Sequence, residues 1–500
     1  MSSSKYKNLL STSRFRDSAV QGRNIILSAE SDRGRLLFCP AFRRLQQKAQ
    51  VFSLESNAAV RSRLTHSLEV SQTGRYIADE ITLRLLSEKL ATEEECFAIA
   101  TFVETACLMH DIGNPPFGHF GEAAISEWFE NEAPSILKSL FCSNQDGLLD
   151  GKKLAIIQSK LDSALADFIN FDGNPQGIRV VAKLQKNSDN FGLNLTKTTL
   201  ASYLKYIREG GEKKEDPLKP FTKKAGYFST ERSLVHSIWE ELGYSAPQRF
   251  PLAYIMEAAD DIAYCISDLE DSIEKKLLDK KQAFAELHKL WMESPRQDSD
   301  AFNLIASLLE CTKLEEKGGK PFTYTDFRTH LNRLLVDCAT RSYIENHDLV
   351  LSGRLESLIP ENTAEGKILE LLKAYCKEHV YCHVTIQKTE LAGYKAISGL
   401  LEHFRILLEC SAERFKFALD YNKKHDGDGK RIIIENKLLV LFPKSYKEVY
   451  EDEVRLLDLS LEEDRITEWN LRAHLVTDFI SGMTDDYSMK TYQSLSGIMI

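Results

Sequence analysis

The sequence contains no Cys-X-X-Cys pair, no long apolar run and no internal repeat. Its ten cysteines are scattered without the spacing of a disulfide framework, so we expect reduced thiols in the protein core. No apolar stretch approaches the roughly 20 residues that a membrane-spanning helix needs. The first residues, Met-Ser-Ser-Ser-Lys-Tyr-Lys, lack the apolar core of a secretory signal. These absences predict a cytoplasmic protein with no membrane partner.

The chain also lacks an overall excess of positive charge. It carries 64 Lys and Arg residues against 74 Asp and Glu residues, a net charge of −10, so the whole molecule is not a general nucleic-acid binder. The segment from Arg33 to Arg63 differs, because it holds seven basic residues and one acidic residue, Glu55. Such a patch suits phosphate recognition, and its alternative interpretation is an ordinary solvated surface.

Apolar residues at helical spacing predict a mostly helical chain. One stripe recurs at steps of three and four residues and comprises Ile99, Phe102, Val103, Ala106, Cys107 and His110. The Gly-Asn-Pro-Pro sequence at 113–116 predicts the end of this helix, which leaves His110 and Asp111 at its C-terminus. A further helix is expected from about residue 119, and another over residues 251–267.

Four side chains of metal-ligating type are dispersed along the chain: His66, His110, Asp111 and an aspartate at 260 or 261. Two imidazoles and two carboxylates suit Mg²⁺, Mn²⁺, Fe²⁺, Co²⁺ or Zn²⁺ better than a thiolate metal. A metal held in this way can lower the pKa of a bound water and supply a nucleophile at neutral pH. Taken singly, each residue has a plainer interpretation, as a hydrogen-bonded core histidine, a helix cap or an ion-pair partner. A carboxylate inside the apolar helix near 260, however, is costly to bury unless it is paired or metal-bound.

Taken together, these residues resemble the signature of the HD-domain phosphohydrolases. Within that superfamily, the chain most closely resembles the bacterial deoxyguanosine triphosphate triphosphohydrolases. The segments that carry this resemblance are Asp32–Arg35, Phe42–Lys48, Arg61–Ser67, His110–Gly121, Phe171–Gly177, Glu257–Tyr264 and Glu390–Tyr394. They extend from about residue 30 to residue 405 and therefore cover most of the chain.

The resemblance implies a mainly α-helical fold with at most minor β-hairpins. It implies an N-terminal extension at 1–30, a catalytic HD-domain core at 31–275, and a C-terminal helical region at 276–500 that contributes to the base pocket and the oligomer interface. A loop inserted in the core near 208–229 concentrates glycine, proline and lysine, and we expect it to be long and exposed.

The implied reaction cleaves dGTP into deoxyguanosine and inorganic triphosphate, and its expected role is control of dNTP pools. The nucleophile is expected to be a metal-bound water or hydroxide that attacks the α-phosphorus. Carried over by position, the metal ligands are His66, His110, Asp111 and Asp260, with Mn²⁺ or Mg²⁺ the favoured metal and Fe²⁺, Co²⁺ or Zn²⁺ open. Asp260 is preferred to Asp261 because it shares a four-residue helical spacing with the two sugar residues assigned below.

The resemblance also assigns the remaining site residues. His119 is the expected acid/base group, and Glu122, three residues later, is expected to orient it and raise its pKa. The expected phosphate contacts are Arg63, Asn174, Lys205, Tyr206 and Lys224. The expected sugar contacts are Gln50, Tyr264 and Asp268. The expected base contacts are Val51, Tyr381 and Glu390, of which Glu390 would accept from the N1–H and amino group of guanine, and Tyr381 stands where the family pattern has phenylalanine.

Alternatives and partners complete these expectations. One alternative is a dNTP triphosphohydrolase of broader specificity, and another is a metal-stabilised nucleic-acid-binding or nucleotide-sensing protein that uses the basic patch. Alarmone and Gly-Tyr-Pro phosphodiesterases are disfavoured, because Asn-Pro-Pro follows the His-Asp-Ile-Gly segment and Lys395 follows Gly393-Tyr394. The resemblance implies a homohexamer or another even-numbered assembly, and single-stranded DNA could act as a regulator at a basic groove between subunits.

Overall fold

The computed structural model is mainly α-helical, as predicted. It describes residues 4–55, 57–141, 151–186, 189–213, 221–295, 299–310 and 323–498. In these ranges the eight described cysteines are all free thiols; six are buried as expected, whereas Cys96 is partly buried and Cys382 is exposed. No helix in the same ranges combines the length and the apolar character needed to cross a bilayer.

Helices account for most of the described residues. Those of the first half, in chain order, are α1 (Ile25–Phe38), α2 (Pro40–Arg44), α3 (Arg63–Ser87), α4 (Glu93–Met109), α5 (Gly118–Phe141), α6 (Gly151–Ile169), α7 (Gly173–Arg179), α8 (Lys197–Tyr203), α9 (Arg232–Glu241) and α10 (Pro251–Glu274). Those of the second half are α11 (Lys280–Glu293), α12 (Asp300–Leu309), α13 (Tyr324–Glu345), α14 (His347–Leu351), α15 (Ala364–Cys376), α16 (Val384–Glu409), α17 (Ala412–Leu419), α18 (Ile433–Val440), α19 (Lys444–Val454), α20 (Glu462–Ser481) and α21 (Asp485–Leu495). The two strands are β1 (Arg208–Glu209) and β2 (Ala225–Tyr227).

Three helices, α3, α4 and α10, form the centre that positions the site. Helix α4 begins with a capping box between Thr92 and Glu95, ends at Met109 and has His110 as its C-cap, as the apolar stripe and the prolines predict. Helix α3 packs against both α4 and α10, and fully buried apolar residues of α10 such as Ala259 and Ile262 line that contact. This packing brings the N-terminal turn of α3, the C-terminus of α4 and the middle of α10 together.

The loop predicted at 208–229 is more buried than expected. Its two ends pair as the parallel strands β1 and β2, so the minor β-structure is not a hairpin. Ala225 and Tyr227 are each 1% exposed, and Phe221 packs edge-on against Tyr254 of α10. Both ends of the segment therefore belong to the core, while residues 214–220 lie outside the described ranges.

A buried charge network joins α7 to α20. Arg179, which is 2% exposed, donates to Asp478 at 2.9 Å and lies 3.0 Å from Glu231. Gln176 donates to the same Asp478 at 2.9 Å. A buried guanidinium is tolerated only when such partners satisfy it, so the network fixes α7 against the C-terminal helices.

The network predicts a large difference between two aspartate substitutions. Asp478→Ala should destabilise the protein by about 3–5 kcal/mol, because it leaves the buried Arg179 charge undercompensated. The matched control is Asp486→Ala, which removes an exposed ion pair with Lys490 and should leave the thermal midpoint near that of the wild type. Thermal unfolding followed by circular dichroism measures both. Equal midpoints for the two variants would contradict this account.

Candidate active site

The structure brings the four predicted metal ligands to one place. His66 lies in the first turn of α3, His110 and Asp111 follow α4, and Asp260 lies in α10. Asp260 Oδ1 is 3.3 Å from His66 Nε2 and 3.5 Å from His110 Nε2. His110 Nε2 is also 3.5 Å from Asp111 Oδ2, and ligand atoms of His66, His110 and Asp111 all lie within 4.8 Å of one another.

The protonation of His110 suits a metal ligand. Its Nδ1 is 2.7 Å from the carbonyl oxygen of Cys107, and because a carbonyl only accepts, Nδ1 carries the proton and donates. The lone pair is therefore on Nε2, which is buried and has no hydrogen-bond partner among the described residues. A ring nitrogen oriented in this way by a backbone carbonyl is the usual arrangement of a metal-binding histidine. The donor set thus fits a divalent cation.

The two carboxylates of the cluster are held ionised. Burial by itself would raise the pKa of Asp111, but the nearby Arg63 and the histidines outweigh it and lower the pKa to about 2. Burial is likewise outweighed at Asp260, where His110, His66 and Lys205 hold the pKa well below its usual range. An ionised, desolvated carboxylate is a strong ligand for a hard cation.

The adjacent Asp261 faces a different partner. Its carboxylate lies 3.3 Å from Lys373 Nζ of α15, and burial raises its pKa. The two neighbouring aspartates of α10 therefore have separate environments. Asp260 is the one at the histidines, as the four-residue spacing predicts.

His119 and Glu122 form the pair that the sequence predicts. Glu122 Oε2 is 2.7 Å from His119 Nδ1, and Glu122 Oε1 accepts from the Gly173 backbone N–H at 2.8 Å. The hydrogen bond and charge of Glu122 raise the pKa of His119. The His119 side chain is 84% exposed, so the imidazole faces an open space in which a substrate could meet it.

The predicted phosphate residues are spread around this space, and most of them contact a carboxylate. Arg63 Nη1 is 2.5 Å from Asp111 Oδ2, and Lys205 Nζ is 3.7 Å from Asp260 Oδ2. Lys224 Nζ is 2.6 Å from Asp172, the N-cap of α7. The other two are Asn174, whose amide donates to Asp172, and Tyr206, whose ring centroid is 5.9 Å from Lys205 Nζ.

The predicted sugar residues adjoin the C-terminal half of α10. Tyr264 Oη is 2.7 Å from Tyr381 Oη, and Tyr381 also hydrogen-bonds Asp268. Tyr381, expected at the base, thus contacts the sugar residues through its hydroxyl. Gln50 follows Ala49, which forms a β-bridge with Ser62. The Gln50 Oε1 atom is buried without a hydrogen-bond partner among the described residues, which leaves an acceptor for a ligand hydroxyl.

The predicted base residues are less tightly connected. Glu390 is half-exposed on α16 and accepts a long hydrogen bond, 3.4 Å, from Gln387. Gln387 also donates to the carbonyl of Tyr381 at 2.8 Å and so connects the two predicted base residues. Val51 is partly buried against the core. No pattern in the sequence pointed to Gln387, because one polar residue on an amphipathic helix carries no signal by itself.

Sequence reasoning also missed the residues that brace the segment after His110. Buried Lys48 donates to the carbonyls of Asn114 and Ser481 at 2.5 and 2.7 Å. Asp485 accepts from the backbone N–H of Phe117, whose φ is 61°. Gly113 lies so close to α7 that a Cβ there would be 2.1 Å from the Gly173 carbonyl oxygen. Lys48 did stand in a recognisable motif, but its target carbonyls are distant in sequence.

Comparison with known proteins places His66, His110 and Asp111 in a recognised domain. Residues 63–147 match the HD domain family, which is consistent with the helical fold and with the histidine–aspartate cluster built from α3, α4 and α10. The protein is thus of the HD-domain class.

Three relatives give the more particular assignment, and each is named deoxyguanosinetriphosphate triphosphohydrolase. The one from Enterobacter sp. (strain 638) is 37% identical, over 94% of this chain and 94% of its own length. That of Klebsiella pneumoniae is 36% identical over 95% of both chains. That of Salmonella arizonae is 36% identical over 94% of this chain and 93% of its own. The chain belongs to the deoxyguanosinetriphosphate triphosphohydrolase family, a family of hydrolases.

Two histidine substitutions should separate metal binding from the role of the neighbouring imidazole. His110→Ala removes a member of the cluster and should lose most of the bound Mn²⁺. His119→Ala should retain Mn²⁺, because the hydrogen bond of His119 is to Glu122 and not to the cluster. Metal content after dialysis, measured by plasma mass spectrometry, distinguishes the two. Full Mn²⁺ occupancy in His110→Ala would contradict the assignment of the cluster.

Proposed function

We propose that this enzyme hydrolyses dGTP to deoxyguanosine and inorganic triphosphate and so helps to control dNTP pools. The observation that carries the proposal is the convergence of His66, His110, Asp111 and Asp260. Cationic and hydrogen-bonding residues suited to phosphate border this cluster, and so does the His119–Glu122 pair. The relatives support the proposal because they share the name deoxyguanosinetriphosphate triphosphohydrolase and are 36–37% identical to this chain over nearly its whole length.

The reaction breaks the bond between the α-phosphorus and the sugar 5′-oxygen. A divalent cation bound by the cluster, Mn²⁺ or Mg²⁺ by preference, would polarise the phosphate and lower the pKa of a water. The 5′-oxygen must gain a proton as it leaves. His119 suits that role, because Glu122 raises its pKa and so increases the fraction of imidazolium at a given pH.

Charge compensation is the second requirement of the reaction. Arg63 and Lys205 contact the carboxylates of the cluster, and Lys224 lies at the N-cap of α7 beside Asn174. A triphosphate held at the cluster would meet these donors together with the N-terminus of α7. The long side chains of the two lysines can change partner from carboxylate to phosphate without backbone movement.

The proposal is tested by the products. Purified protein, stripped of metal and supplied with Mn²⁺, should convert dGTP to deoxyguanosine and intact triphosphate, resolved by anion exchange. His110→Ala should lose this activity. Deoxyguanosine monophosphate with pyrophosphate, or an absence of turnover with every divalent metal tried, would refute the proposed reaction.

The pH dependence of turnover should report the His119–Glu122 pair. If the imidazolium is the acid, activity falls as the pH rises through the pKa of His119. Glu122→Gln removes the charge that raises this pKa, so the alkaline limb of the kcat/KM profile should move to lower pH. Glu127→Gln, on the same helix but hydrogen-bonded to Tyr394, is the matched control and should leave the limb in place. An unchanged limb in Glu122→Gln would contradict the assignment.

Guanine selection is proposed to depend on Glu390. A carboxylate accepts both the N1–H and the amino group of guanine, a pair of donors that adenine does not present. Glu390→Gln replaces one acceptor by a donor and should lower the preference for dGTP over dATP by roughly tenfold or more. Glu413→Gln, which changes an exposed glutamate of α17, serves as the control. Equal rates for dGTP, dATP, dCTP and TTP in the wild type would instead favour the enzyme of broader specificity.

We further propose that the enzyme is a homohexamer that single-stranded DNA regulates. A second surface, separate from the cluster, supports the DNA part of this proposal. Arg61 and Arg63 of the basic segment pair with carboxylates, but Arg35 and Arg44 line a cleft of about 600 Å³. Arg16 and Lys186 also line this cleft, each paired with an aspartate, and so does Phe38, which is 81% exposed. Cations beside an exposed aromatic ring suit a nucleic-acid strand.

A single-stranded oligonucleotide should change the rate of dGTP hydrolysis at low salt, and Arg44→Ala should weaken that change. An equally large change in Arg44→Ala would exclude this cleft as the binding site of the oligonucleotide.

A further inference from the structure

The hydroxyl of Tyr381 lies against two side chains of α10. Tyr264 and Asp268 are four residues apart on that helix and therefore lie on one face. The Tyr381 hydroxyl is within hydrogen-bond distance of both, 2.7 Å from the Tyr264 hydroxyl. Asp268 is 2% exposed, so its Oδ2 atom accepts a hydrogen bond from Tyr381 rather than from bulk water.

The direction of these hydrogen bonds follows from their chemistry. An ionised carboxylate only accepts, so Tyr381 donates its proton to Asp268. The Tyr381 oxygen then accepts, and Tyr264 must donate to it. The hydroxyl protons of both tyrosines are used within this chain, while the carboxylate retains lone pairs for a further donor.

Asp268 needs such support because its environment disfavours charge. Burial raises its pKa to about 7, the hydrogen bond from Tyr381 opposes that rise, and the neighbouring Asp271 adds to it. Arg61 acts in the opposite direction, but its guanidinium is directed at Asp271 and at two glutamates. The Tyr381 hydroxyl therefore supplies a hydrogen bond that Arg61 does not give to Asp268.

Tyr381 also connects this face to Glu390, the predicted base residue, through Gln387. Its carbonyl accepts from Gln387 at 2.8 Å, and Gln387 also contacts Glu390 at 3.4 Å. One residue thus contacts the sugar side through its hydroxyl and the base side through its backbone. A change at the hydroxyl alone leaves the backbone contact intact.

We propose that the Tyr381 hydroxyl is a specificity-determining group that holds the Asp268 carboxylate in position to accept a hydrogen bond from the 3′-hydroxyl of the substrate sugar. This inference rests on the proposed function for the identity of the substrate. It adds Tyr381 to the sugar subsite, and it makes recognition of the 3′-hydroxyl depend on a residue outside α10. Removal of the Tyr381 hydroxyl should weaken the binding of nucleotides that carry a 3′-hydroxyl more than the binding of those that lack it.

Binding is the measurement that tests this inference. Dissociation constants of dGTP and of 2′,3′-dideoxyguanosine triphosphate are measured by calorimetry with Ca²⁺, for the wild type, Tyr381→Phe and Tyr394→Phe. Tyr394 donates to Glu127 at 2.7 Å on an exposed part of the same helix as Gln387, so it controls for loss of a tyrosine–carboxylate bond elsewhere. The wild type should prefer dGTP. Tyr381→Phe should reduce this preference by about tenfold, and Tyr394→Phe should keep it.

The outcomes separate this inference from the proposed reaction. A purely structural role for Tyr381 would weaken both ligands by the same factor, so an unchanged ratio in Tyr381→Phe overturns the inference. Equal binding of both ligands to the wild type, or no binding of either, also overturns it. Failure of the proposed reaction would appear separately, as the absence of Mn²⁺-dependent turnover, while the ratio of the two dissociation constants remains readable.

Discussion

The proximity of two partly buried carboxylates, Asp111 and Asp260, is the constraint on which the rest of the site depends. Two desolvated negative charges cannot remain so close without cations around them. The structure surrounds them with two histidines, with Arg63 and with Lys205. Each of these groups can bind either a carboxylate or a phosphate oxygen, or can ligate a metal. The negative charges of the cluster therefore require neighbours of the same kinds that a metal-dependent phosphohydrolase uses.

The scaffold around the cluster keeps these groups at fixed separations. The segment after His110 is held by Lys48 and Asp485, and its close approach to α7 allows no side chain at Gly113. Helix α7 is in turn joined to α20 by the buried Arg179–Asp478 pair. The N-terminus of α7, where Asn174 lies, is thereby set relative to the cluster. Residues far from the cluster thus determine the distance between the proposed phosphate donors and the proposed metal ligands.

The sequence predicted the helical parts of this arrangement well, because periodicity reports burial directly. The stripe that ends at His110 and the four-residue spacing from Asp260 to Asp268 both correspond to faces in the structure. The two ends of the segment at 208–229 are buried, which its polar composition did not predict, because composition carries no sign of the pairing of β1 with β2. Tyr381 was expected at the base, yet its hydroxyl reaches Asp268. Contacts between residues more than 100 positions apart leave no local pattern, so Asp485, which accepts from the backbone of Phe117, could not be found from spacing alone.

The central claim is that His66, His110, Asp111 and Asp260 together hold the metal. Anomalous X-ray diffraction from crystals grown with Mn²⁺, recorded at the manganese absorption edge, tests this most directly. The account predicts one strong peak within bonding distance of His110 Nε2 and of carboxylate oxygens from both Asp111 and Asp260. A peak located elsewhere, or one that contacts Asp261 in place of Asp260, would contradict it.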